Sequence, residues 1–181
     1  MAKSGKPIPE VLKDQKVATA AISFNAFQFL SAYHILSAAT ADAQSKQGEM
    51  MNAGLEPTIP PLIMFPTWVC LAFSNELYLK ALLVKSANTL ERNEHNHTKL
   101  FQKLPAETQA AVLHEIEKLN PGNSNDQKME FMEKNAVAFV EYRYFYDIEG
   151  GRAFMLSFAE HFSLAMKALV DTEVVIASKI S

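Results

Sequence analysis

The stretch VATAAISFNAFQFLSAYHILSAATA, residues 17 to 41, contains no Asp, Glu, Lys or Arg. A run that long without a formal charge either spans a bilayer or lies against other protein. Asn25, Gln28, Ser31 and His34 fall on different sides of the helix it would form, which points to a buried helix in a soluble protein. No other apolar run looks comparable in length, and no membrane partner is expected. Val17, Ile22, Phe24, Phe27, Phe29, Leu30, Tyr33, Ile35 and Leu36 go nearly all the way round that helix, predicting neighbours on several sides.

Helical periodicity continues along the chain, and no alternating strand pattern competes with it. The first helix is expected from about Lys13 to Gln47, ending at Gly48. Residues 48 to 66 hold Gly48, Gly54, Pro57, Pro60, Pro61 and Pro66, so this part reads as an irregular Pro-rich connection. A second helix follows from about Pro66 to Asn88, with Val69, Ala72, Leu79 and Leu83 on one stripe. Asn96 is placed to cap a short helix whose inner face is His97, Leu100, Phe101 and Leu104. Pro105 opens a helix over 105 to 119 with Val112, Ile116 and Leu119 inside. Ser124 and Gln127 form a candidate capping box for a helix over about 125 to 147. After Gly150-Gly151 comes a final amphipathic helix, with Met155, Phe158, Phe162, Ala165 and Leu169 inside and Glu160, Ser163, Lys167 and Asp171 outside. The expected fold is an all-α bundle of five or six helices: a flexible tail over 1–12, then one helical domain over 13–181.

A chain of 181 residues, 49% of them apolar, can bury the core such a domain needs. Its single cysteine, Cys70, allows no internal disulfide and suits a reducing, cytoplasmic compartment. The tail MAKSGKPIPEVLK lacks the apolar run of a secretory leader. A net charge of −3 gives no bulk electrostatic argument for nucleic acid or an anionic membrane.

Two charges interrupt apolar stripes. Glu76 shares the face of Val69, Ala72, Leu79 and Leu83. Arg143, within AFVEYRYFYD, follows Met129, Met132, Ala136 and Phe139 at steps of three and four. It lies about 200° round the helix from Glu141, away from the polar side. An unpaired charge on either stripe would cost several kcal/mol, roughly. Glu76 and Arg143 are therefore candidate partners, with Lys80 and Asp147 as their local competitors at i+4. Such a pair either fixes helix register or lines a polar pocket beneath Tyr142, Tyr144 or Tyr146.

The segments SNELYLKALLV (74–84), HTKLFQKL (97–104) and AFVEYRYFYD (138–147) together resemble the HEPN domains (higher eukaryotes and prokaryotes nucleotide-binding). Glu76 and Lys80 match that family's E-x-x-x-K run, His97 with Leu100 its His-Asp-Leu block, and Tyr142-Arg143-Tyr144 with Tyr146-Asp147 its aromatic-Arg-Tyr-x-Tyr-acid run. The resemblance covers about residues 70–170. Thr98 stands where the family usually has an acid, and Tyr142 where it often has Trp. The resemblance implies a dimeric helical domain, non-catalytic, that binds RNA or a nucleotide through Arg143, Lys80, Tyr146 and His97, with Glu76 orienting the cations. No cofactor is implied.

Active members of that family are metal-independent ribonucleases with an Arg followed four to six residues later by His. Arg92 and His97 have this spacing and are the catalytic candidates if the chain is an enzyme of the toxin or antiphage type. Histidine would move the proton and arginine would hold the developing phosphorane charge. The match lies in a loop, however, flanked by Glu91 and Glu94, with Lys99 where active members often have Tyr. A third reading is a purely structural interaction domain, with the first helix and the Pro-rich connection as its partner surface. The remaining histidines are scattered, His95-x-His97 with Glu94 gives only a thin metal-site suggestion, and no metal is expected.

Overall fold

Helix α1 runs Gln15–Asn52, α2 Met64–Ala87, α3 His97–Gln102, α4 Ala106–Leu119, α5 Asn125–Lys134 and α6 Leu156–Ala177. The computed structural model describes residues 14–56, 64–137 and 155–177, with side chains over 14–56, 66–137 and 155–171. No strand occurs among the described residues, and the chain is the all-α bundle its periodicity predicts.

The bundle is built round α2. From Ser74 to Val84 every residue except Leu77 is buried, because α1, α3 and α6 all pack on this helix. The segment Pro66–Ala87 is the one described stretch long and apolar enough to cross a membrane, and 72% of the apolar window is enclosed by the bundle. It, rather than residues 17–41, has the more span-like composition. Met64 and Phe65 precede Pro66 in α2, and a first-turn proline costs nothing because its N–H would have no helical partner.

Helix α1 lies antiparallel to α2. The Gln15 amide donates to the carbonyls of Val84 (2.8 Å) and Lys85 (2.9 Å) at one end. Farther along, Ser74 Oγ donates to the Ala26 carbonyl at 3.0 Å and shares a 3.0 Å bond with Ser163 Oγ of α6. Asn75 Nδ2 adds a 3.0 Å bond to the Ala159 carbonyl. Small residues at these crossings let three helix backbones approach. Ser163, expected outside, is fully buried for this reason.

Two expectations for α1 are corrected. Only Ala18, Ala26, Leu30 and Tyr33 are buried, so the helix packs on one face instead of several. Nor does Gly48 stop it. Gly54, at φ +72°, follows the C-cap, and Gly54 N–H donates to the Met51 carbonyl while Leu55 N–H reaches Met50 (2.9 Å).

Helices α3 to α6 close the other side of α2. Rings of Phe101, Phe162, Phe158 and Phe131 form an edge-and-stack series joining α3, α6 and α5. The expected caps are present: Asn96 accepts Lys99 N–H, and Ser124 with Gln127 makes a reciprocal capping box. The helix expected to reach residue 147 ends instead at Lys134. Asn135 caps it and clamps Met155, accepting its N–H at 3.0 Å and donating to its carbonyl at 3.2 Å. The Ala136 carbonyl accepts the His97 N–H at 2.7 Å. The Ala136 carbonyl is a group that a continuing helix would need for its own next turn. The phase argument that carried Arg143 opposite Glu76 fails at this turn, and Arg143 and Tyr146 lie outside the described residues.

Candidate polar node and an α1–α6 groove

Glu76 points into the bundle as its stripe predicts, 1% exposed. Its Oε1 accepts from Lys80 Nζ at 2.8 Å, the local pair available at i+4. The same oxygen lies 3.0 Å from His95 Nδ1. Oε2 is buried and meets no hydrogen-bond partner. The 91–96 loop brings His95 there by satisfying its own backbone: Glu94 Oε1 accepts the N–H groups of His95 and Asn96 at 3.1 and 3.0 Å. These bonds, that from Asn96 first, hold the Glu94 carboxyl below its usual range.

His97 is enclosed between α2 and α3, and both ring nitrogens are shielded. The Ala72 carbonyl lies close enough to favour the protonated ring, yet neither nitrogen reaches hydrogen-bond geometry. Burial dominates and pushes the imidazole down to about 4, with the Lys80 charge adding to the effect. Arg92, by contrast, is exposed on the loop, and no hydrogen bond joins it to His97.

The structure thus brings Glu76, Lys80 and His97 into one neighbourhood, and no hydrogen bond ties Arg92 to His97. It adds His95, whose side chain is 45% exposed and opens the node to solvent. His95 and His97 alternate across the entry to α3, so one turns out and the other in. Among the described residues, no cluster of His, Cys, Asp or Glu is able to hold a metal ion.

A second feature was not read from the sequence. Between α1 and α6 lies an open groove of about 830 Å³, lined by Lys16, Ala20, Phe24, Phe27, Lys85 and Lys167 among others. Lys85 Nζ donates to the Leu169 and Val170 carbonyls at 2.8 and 3.2 Å. Lys167 pairs with Asp171 at 2.6 Å and stands 5.7 Å from the Phe27 ring centre. The three lysines come from α1, α2 and α6, so no local motif announces them.

The outer face of α1 is a third feature. Val17, Phe24 and Ile35 are 41%, 60% and 70% exposed, and Phe27 beside them is 46% exposed. Comparison with protein-family models, curated proteins and solved structures finds no match.

Proposed function

We propose that this chain is a non-catalytic helical interaction module of the HEPN type that pairs with a second copy of itself across the outer face of α1. The exposure of Phe24 and Ile35 on a helix with no charge between Lys16 and Asp42 carries the reading. A face kept free of charge and turned to water is the usual mark of a partner surface. Val17, Ala21, Phe24, Gln28, Ile35 and Ala39 recur along it at helical spacing. Two such helices laid antiparallel about a two-fold axis near Ala26 set Val17 against Ile35 and Phe24 against Gln28, a self-complementary order. Each pairing then occurs twice.

Sedimentation velocity tests this. The expected wild-type species has twice the monomer mass, and Ile35→Glu yields a folded monomer because the carboxylate is harmless in water and costly at the seam. A monomeric wild type at tens of micromolar, roughly the range of weak self-association, removes the reading.

The RNA or nucleotide reading stands second, on the gathering of Lys80, His95 and His97 round Glu76. A ribonuclease using Arg92 and His97 is disfavoured by the enclosure of His97, since a general acid or base must reach the scissile phosphate. Labelled RNA incubated without metal, beside Arg92→Ala, His97→Ala and Arg143→Ala, separates these outcomes. Binding without cleavage, weakened by Arg143→Ala, supports the RNA module; cleavage lost with Arg92→Ala or His97→Ala supports the enzyme.

A further inference from the structure

We infer that the α1–α6 groove is a binding site for a single-chain acyl anion, a fatty carboxylate or acyl phosphate, with its head at the lysines and its chain along Phe24, Phe27, Ala20 and Val170. The volume of about 830 Å³ lies within the range of small-ligand sites. Among the described residues, three lysines against one aspartate make the lining net positive, in a chain whose own net charge is −3. That contrast selects an anion.

The size of the charge selects the kind of anion. Lys167 is already offset by Asp171, and Lys85 is held by two helix carbonyls. Lys16, exposed at the rim, pairs with no acid among the described residues. This set balances a mono- or dianion and leaves a nucleoside triphosphate undercompensated. Among the described residues, no guanidinium fork lines the groove to grip a polyphosphate. The aromatic floor, exposed to water when empty, is what an alkyl chain would cover.

The site does not depend on α1 pairing. Phe24 stands on the ridge between the two surfaces, while Ile35 belongs only to the outer face and Lys16 and Ala20 line the groove.

Delipidated full-length protein titrated with a fluorescent long-chain fatty acid tests the site, beside Lys16→Glu, Ala20→Trp and Ile35→Glu. All are checked for native helicity by circular dichroism. The expected result is saturable one-to-one binding, weakened at least fivefold by Lys16→Glu and at least tenfold by Ala20→Trp, which fills the groove. Ile35→Glu should leave it unchanged even if it abolishes pairing. Absence of saturable binding overturns the inference, as does equal affinity in Ala20→Trp. So does displacement by ATP at equal concentration, or binding confined to phosphatidylglycerol vesicles with none of the free acid.

Discussion

His95 Nδ1 and Glu76 Oε1 stand 3.0 Å apart, the histidine side chain 45% exposed and the glutamate 1%. With Lys80 Nζ at 2.8 Å on the same oxygen, a buried carboxylate is approached by a buried cation and by a ring that reaches solvent. Glu76→Ala leaves the Lys80 ammonium enclosed without its counter-charge, and the expected loss is roughly 3–5 kcal/mol. Glu76→Gln keeps an acceptor and should lose less. Pairing Glu76→Leu with Lys80→Met removes both charges and should recover most of the loss. Urea unfolding at pH 7 measures all three; a loss below about 1 kcal/mol in Glu76→Ala means the node is not structural.

His97 makes stability depend on acidity. Its folded-state pKa is about 4, pushed down mainly by burial, against an ordinary value of 6.5. The unfolded chain therefore binds the proton first as pH falls. The neutral ring's full contribution is present above about 6.5 and is lost progressively down to about 4, a change on the order of 3 kcal/mol. His97→Leu should flatten this part of the pH–stability curve. Denaturant midpoints at intervals from pH 7 to pH 4 give the test, and parallel curves for the two proteins would exclude His97 as the source.

Elements set by local chemistry were legible in the sequence: Asn96 and Ser124 cap where expected, and Glu76 is buried where the α2 stripe places it. What failed was set by distant contacts. The end of α5 depends on Asn135 gripping Met155 and on the Ala136 carbonyl serving His97, neither of which has a local pattern. Ser163 reads as a solvent position until Ser74 is found against it. The apolar circumference of α1 was read as core, but periodicity reports apolarity and cannot say whether bundle or partner covers it. The groove was invisible because Lys16, Lys85 and Lys167 converge only through packing.

The two glycines near the end of α1 should respond oppositely to alanine. Gly48 is inside the helix with nothing within 4 Å of an added Cβ, so Gly48→Ala should stabilise by about 0.5–1 kcal/mol. Gly54 sits at φ +72° just beyond the helix, and Gly54→Ala should cost about 1–2 kcal/mol locally. Amide hydrogen exchange at Met51 to Leu55 resolves the second effect even if global stability barely changes. Protection unaltered in Gly54→Ala would show that the cap does not hold the helix end.

The Ser74–Ser163 bond should show the asymmetry of buried polar pairs. Both residues are fully buried, and the 3.0 Å bond joins α2 to α6 while Ser74 also reaches the Ala26 carbonyl on α1. Ser163→Ala removes one hydroxyl but leaves Ser74 bonded to that carbonyl, so the expected cost is about 0.5–1.5 kcal/mol. Ser74→Ala strands the Ser163 hydroxyl and takes the side-chain donor from the Ala26 carbonyl, and should cost more, about 1–3 kcal/mol. In the double variant the stranded hydroxyl is gone, so its loss should fall below the sum of the singles by at least about 0.5 kcal/mol. Ser74→Val is different in kind: added methyls at a crossing of three helices force the backbones apart. Chemical denaturation of the full cycle decides it, and strict additivity would mean that the hydroxyls do not sense each other.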